Sequence, residues 1–282
     1  RSPRAYRLLL LVLALALALS CAASLGSGAA PVPLPSVLEI LGQRLFDLQP
    51  AQAVSSAQDS IVWLIRAPRV VLGALVGAGL ALVGTALQAV TRNPLADPHL
   101  LGVSSGAALG AVIVVLYLGE FIGLLSLPLA AFVGALVSML LVLAIASRGG
   151  RLESDRLLLA GVAVSFVMMA ASNLLLFLGD HHAASSVIFW MLGGLGLARW
   201  ELLWLPALCL MLALLLLLGL ARALNALMAG EHSAVSLGLE PRRVRLLVFV
   251  CASLLTGVLV SLSGAIGFVG LILPHVARFL VG

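Results

Sequence analysis

The chain has 282 residues, of which 62% are hydrophobic and 10% charged, against roughly half apolar and a quarter charged in soluble domains. That composition excludes a water-soluble globular domain and makes the bilayer the solvent. The net charge of +5 does not point to nucleic acid, because the arginines sit in short clusters beside apolar runs and form no single basic face.

A spanning helix needs about 20 mostly apolar residues, since lipid offers the backbone no hydrogen-bond partner. Eight segments meet this, at approximately 8–25, 67–90, 100–118, 124–146, 157–178, 202–221, 244–263 and 267–282. The expected fold is therefore all-α, a polytopic transmembrane helical bundle. Arg1, Arg4 and Arg7, then apolar Leu8 to Leu19 and Ser20-Cys21, form a pattern that also resembles a signal or lipoprotein leader. Seven further spans and the poor fit of Ala18-Leu19 before a lipidated cysteine favour a first span instead. Cys21, Cys209 and Cys251 lie in or beside apolar runs without metal-ligand spacing and read as packing residues.

At the mouth of the second span Arg66 and Arg69 lie one turn apart, a placement that interfacial anchoring alone explains. Gly73, Gly77, Ala81 and Gly84 follow at close to four-residue spacing, where small side chains let helices approach closely in lipid. Arg92-Asn93-Pro94-Leu95-Ala96-Asp97-Pro98 then stops the helix, and Gly102 to Gly106 start the next, which predicts a tight reversal. The fifth span carries Ser165, Ser172 and Asn173, for which interhelical hydrogen bonds or a polar pathway wall are both open readings. Asp180-His181-His182 invites a metal or haem ligand, but its loop position favours a solvated turn. Ser185 to Trp200 is apolar yet too short to cross, which predicts a re-entrant or interfacial helix. Between the sixth and seventh spans, Gly230-Glu231-His232-Ser233-Ala234-Val235-Ser236-Leu237-Gly238 reads as a short helix bounded by glycines, and an ordinary amphipathic loop fits it equally. His275 follows Pro274 in the last segment and reads as packing.

Eleven arginines (Arg1, Arg4, Arg7, Arg92, Arg148, Arg151, Arg156, Arg222, Arg242, Arg243 and Arg245) fall before the first span or in alternate connections, against four (Arg44, Arg66, Arg69 and Arg199) in the others. The positive-inside rule then places the N-terminus in the cytoplasm. All sixteen cationic side chains are arginine, so the phosphate-binding lysine of a Walker loop and Schiff-base chemistry are both excluded. Asp97, Glu153, Asp155, Asp180, Glu201, Glu231 and Glu240 fall in loops or at helix ends, leaving no proton relay inside the spans. No metalloprotease motif or paired intramembrane acid occurs. We therefore expect no catalytic residue, no metal site and no cofactor. Passive conduction, sodium coupling and a separate ATPase subunit stay open on composition alone.

The run from Arg66 to Gly110 resembles the signature of the FecCD-type permeases, subunits of ABC importers for ferric siderophores, haem and vitamin B12. Leu158 to Ala163, Phe189 to Gly194 and Gly264 to His275 resemble three further blocks of that family, in its order. The resemblance covers about Trp63 to Gly282 and implies one permease domain over 1–282. Such permeases usually have ten spans, so the resemblance implies roughly fifty more residues and two more spans, and the chain is expected to be truncated at the C-terminus.

The resemblance also implies roles. The cytoplasmic loop 223–241 would form a coupling element seated on an ATPase subunit, through Gly230, Glu231, Ser233, Ala234 and Gly238. Arg66 and Arg69 would dock an extracytoplasmic substrate-binding protein by pairing with its glutamates. The half-helix would lie at an external gate, and Ser165, Ser172 and Asn173 would line a pathway along a dimer axis. Partners would be two ABC ATPase subunits and a second permease copy, in a bacterial cytoplasmic membrane. A secondary transporter or channel is the rival reading, which should show paired broken helices or an intramembrane charge; a nontransporting scaffold or defunct remnant is the other.

Overall fold

A computed structural model describes residues 3–48, 54–147 and 154–281, and their regular structure is entirely helical. In chain order the helices are α1 Pro3–Gly26, α2 Leu34–Phe46, α3 Ser56–Ser60, α4 Ala67–Thr91, α5 Val103–Ile113, α6 Ser126–Ala146, α7 Ser154–Leu178, α8 His181–Met191, α9 Trp200–Gly219, α10 Ala221–Ala229, α11 Glu231–Ser236, α12 Pro241–Ser263 and α13 Val269–Val281. A π-helical turn, Ile61–Arg66, joins α3 to α4, and a second, Val114–Leu118, extends α5.

Among the described residues six stretches are long and apolar enough to cross a membrane: Arg4–Gly26, Ser56–Thr91, Gly123–Ala146, Asp155–Leu178, Trp200–Gly219 and Pro241–Ser263. The other two expected spans are the shorter apolar helices Val103–Leu118 and Val269–Val281. Both begin late for local reasons. Asp97 caps a 3₁₀ turn, Pro98–Leu101, and Gly102 turns left-handed before α5 starts. Gly264 to Phe268 stay non-helical before the 13 residues of α13, which rise about 20 Å. The second expected span is instead the inner part of a 36-residue helical run, about 54 Å long, because polar Ser56 to Ser60 continue the helix beyond the apolar stretch. α2 is a helix beyond the eight expected segments: at 13 residues it is too short to cross, and its signal is amphipathic, with Val37 and Ile40 buried. The expected half-helix is α8, 11 residues long, starting and ending earlier than 185–200 because Gly193 and Gly194 stop it.

The chain divides into two compact units. One holds residues 1–74, 198–204 and 277–282. Its core is Leu25, Val32, Val37, Ile40, Val62 and Ala67, with Trp63 and Trp200 packed against it. The two indoles stack at 4.9 Å, and Trp200 Nε1 donates to the Trp63 carbonyl at 2.8 Å. Arg44 lies 6.0 Å from the Trp63 ring and also donates from Nε to Asp59 at 3.2 Å. That bond raises the pKa of Arg44 above its already high ordinary value.

The other unit holds residues 75–197 and 205–276, and glycines decide its packing. A Cβ on Gly106 or Gly134 would overlap the carbonyl of the other, and one on Gly110 would overlap the Ala130 carbonyl, so α5 and α6 touch main chain to main chain. Ser138 Oγ, on α6, donates to the Gly102 carbonyl at 2.6 Å. Gly84 plays the same part between α4 and α13, where a Cβ would overlap the Gly270 carbonyl. That carbonyl lacks its usual helical donor because the residue four further on is Pro274. Gln88 Nε2 donates to the neighbouring Leu271 carbonyl at 3.3 Å. Of the small-residue series in α4, Gly77 faces open space, whereas Gly79, outside the series, lies under Leu259 of α12.

Candidate functional site

The loop 223–241 is a built element. α10 ends at Gly230, whose φ of 131° and ψ of 154° are accessible to glycine alone at no steric cost, and α11 begins at the next residue. At its far end Leu239 N–H bonds the Ala234 carbonyl at 3.0 Å and Gly238 N–H bonds the Val235 carbonyl at 2.9 Å, with Gly238 left-handed at φ 78°. This is a Schellman motif, which satisfies the last carbonyls of the helix and fixes where it stops. Ala234 is fully buried and seats α11 on its own protein. Glu231 binds Arg245 of α12 at 3.1 Å, with the Arg245 side chain 8% exposed and Glu231 46% exposed. Ser233, Val235 and Leu237 are exposed, so the six residues of α11 present a fixed surface outward while two of them anchor it.

Arg66 and Arg69 separate. The Arg66 guanidinium turns inward, donating to the Leu25 carbonyl at 2.7 Å and also to the Ala30 carbonyl. Leu25 is in the last turn of α1, where carbonyls lack intrahelical partners and the helix dipole favours a cation. Arg66 is thus a cap for α1 and a tie on the turn that follows. Arg69 is exposed on the first turn of α4.

On α7 the three polar residues have different settings. Ser165 donates to the Gly161 carbonyl and Ser172 to the Met168 carbonyl, both at 2.8 Å. Ser172 is fully buried and Ser165 partly so, while Asn173 is exposed. His181 and His182 form the first turn of α8, and their side chains lie outside the described residues, as do Arg148, Arg151 and Glu153 altogether. Among the described residues no group of three or more His, Cys, Asp or Glu could hold a metal ion. A groove of about 350 Å³ between α5 and α6 is walled by Leu109, Ile113, Leu118, Phe121, Leu129 and Val133, and offers no polar group to orient a chelate.

Sequence reasoning passed over three features. Arg245 was counted only as a topology charge, although its position inside the first turns of an apolar helix signals a buried partner. Val235 and Leu237 are apolar side chains exposed on a short polar-flanked helix, a signal that only burial reveals. Gly193 and Gly264 belong to recognised blocks, but their mutual contact depends on tertiary structure.

The model of the FecCD transport family matches residues 13–282. The cobalamin import system permease protein BtuC of Halobacterium salinarum is 41% identical over 222 residues, which are 79% of this chain and 59% of that protein. The hemin transport system permease protein HmuU of Yersinia pestis is 40% identical over 225 residues, 78% of this chain and 67% of that protein. Among solved structures, a metal-chelate type ABC transporter in an inward-facing conformation superposes with a TM-score of 0.83 at 30% identity, covering 98% of this chain and 82% of that one. With almost the whole length matched, this polytopic helical chain belongs to the FecCD transport family.

Proposed function

We propose that the chain is the membrane-spanning permease subunit of an ATP-driven importer for iron chelates, ferric siderophore or haem, or for cobalamin-type substrates. It works as a homodimer in a bacterial cytoplasmic membrane, N-terminus inside, with two ABC ATPase subunits and an extracytoplasmic substrate-binding protein. ATP hydrolysis takes place on the ATPase partner, and the permease itself makes no covalent step. Family membership and the cobalamin and hemin transport named for two relatives support the substrate range.

The observation that carries the coupling reading is the build of α11: a short helix with both ends fixed by glycines, tied to α12 through Glu231 and Arg245, and presenting Ser233, Val235 and Leu237 outward. A rigid projection of this kind converts closure of an ATPase pair into movement of the helices it joins, driven by differential contact between states. Arg69 offers its charge to acidic groups on the binding protein, and Arg66 holds the surface from which it projects. Asn173 faces the pathway from α7, Ser165 and Ser172 lie together on an adjacent, more enclosed face of that helix, and α8 is the pathway's external gate.

Co-purification in detergent of the full-length tagged permease with its candidate ATPase tests this. A stoichiometric complex, lost when Gly230 to Gly238 are replaced by a flexible linker, is the expected result. The absence of a complex with the intact loop would remove the ATP-driven reading.

A further inference from the structure

The C-terminal ends of α8 and α12 are joined main chain to main chain. Gly194 N–H donates to the carbonyl of Ser263, the last residue of α12, at 2.8 Å. Next along the chain Gly264 has φ 65° and ψ −169°, and a Cβ there would overlap the Trp190 carbonyl oxygen and stand 2.9 Å from the Gly193 Cα. The fit is reciprocal: Gly193 has φ 77°, and its Cβ would lie 3.0 Å from the Ala265 carbonyl oxygen. Gly264 accepts a methyl group only if the backbone at Trp190 and Gly193 moves, and Gly193 only with a small shift of the Ala265 carbonyl, so two facing glycines with positive φ leave the joint little slack.

The opposite end of α12 carries Arg245, bonded to Glu231 of α11. The two attachments lie near opposite ends of α12, whose 23 residues rise about 35 Å, enough to reach from one membrane face to the other. Of the six long helices α12 is the most enclosed, with 72% of its spanning window buried against at most 44% in any other. A helix packed on all sides at interior density transmits displacement instead of bending. By contrast α8 is short, and its Phe189 is 75% exposed.

We infer that α12 is the strut that carries movement of α11 to α8, and that the Gly193–Gly264 splice is the joint through which it positions α8. This rests on the proposal that α11 engages an ATPase and that α8 lies on the outer side. Gly193 and Gly264 are positioning residues in this scheme, touching neither substrate nor nucleotide. Movement of α11 by its partner would shift α12 along or about its axis, and the splice would oblige the end of α8 to follow.

The test uses the full-length permease with its ATPase in proteoliposomes, with Cys21, Cys209 and Cys251 replaced by alanine and Phe189→Cys as the probe site for a membrane-impermeant maleimide. With the splice intact, ATP plus vanadate should change the labelling rate of position 189. Gly264→Ala should lower the melting midpoint but keep the complex and ATP hydrolysis, and should lose both the nucleotide-dependent change in labelling and transport. Gly267→Ala, in the same loop but with open space at its Cβ, should keep both. If Gly264→Ala does not assemble, Gly193→Ala, whose Cβ needs only a small backbone shift, should give the same separation. A Gly264→Ala or Gly193→Ala complex that hydrolyses ATP and still shows the labelling change would overturn the inference, as would an intact, transporting complex in which position 189 never responds. Failure of the intact permease to bind any ATPase would remove the coupling proposal itself, a result distinguishable from either.

Discussion

Two pairs of residues alike in sequence have opposite settings. Gly84 and Gly77 both interrupt α4, but a methyl on Gly84 would enter the Gly270 carbonyl, whereas one on Gly77 meets nothing within 4 Å. Backbone cannot rotate away as a side chain can, so Gly84→Ala should lower stability by about 1–3 kcal/mol, the range for overpacking. Gly77→Ala should raise it by about 0.5–1 kcal/mol through helix propensity alone. Melting midpoints in detergent, falling for the first and holding or rising for the second, check both. Arg66 and Arg69 form the other pair. Arg66→Ala removes two charge-assisted bonds, one to the Leu25 carbonyl at the end of α1 and one to the Ala30 carbonyl in the turn beyond, and should lose about 1.5–3 kcal/mol. Arg69→Ala should leave the midpoint unchanged and slow association with the binding protein, most visibly at low ionic strength. A midpoint shift at Arg69 equal to that at Arg66 would contradict the division of roles.

At the level of the element, α11 stands or falls with the Glu231–Arg245 pair. Arg245 is almost wholly enclosed, so Glu231→Gln leaves a buried guanidinium short of its counter-charge, a loss of about 1–3 kcal/mol discounted by the half exposure of Glu231. Replacing Arg245 by Met as well should recover the melting midpoint, since an apolar side chain of similar volume is tolerated where an unpaired charge is not. It should not recover tight binding of the ATPase, because the tie that orients α11 is still absent. Calorimetry and co-purification on the single and double variants separate these outcomes. How far such elements can be read from sequence follows from the range of their causes. The apolar runs of α1, α4, α6, α7, α9 and α12 are set by composition over twenty residues, and Gly230 and Gly238 mark the ends of α11 by their own conformational needs. α2 escaped because its signal is amphipathic and short, and the length of α4 because polar residues continued its helix beyond the apolar run. The inward turn of Arg66 and the Gly193–Gly264 splice join residues 36 to 71 positions apart, which no local pattern encodes.

Across the whole molecule, the arginine distribution predicts which face of the membrane each connection occupies. Arginines cluster before α1, after α4, before α7 and around α10 to α12, eleven in all, against four in the remaining connections. An arginine retained on the side where it is synthesised avoids transfer through hydrocarbon, which is why the bias fixes orientation. The proposed seat of an ATPase on α11 calls for the same assignment, because such a partner is supplied with ATP only from the cytoplasm. Two positions read it out in cells expressing the full-length chain with its three cysteines replaced. Leu48, after α2, is 59% exposed, and Leu237, after α11, is 71% exposed. Leu48→Cys should react with a membrane-impermeant maleimide in intact spheroplasts, and Leu237→Cys should react only after the membrane is permeabilised. Reversal of the two patterns would place α11 outside, where no ATPase could meet it, and would overturn the coupling assignment while leaving the helical fold untouched. Reaction of both in intact cells would mean that the elements α3 to α11 cross an even number of times between them, which is incompatible with the odd number of crossings that the arginine distribution requires.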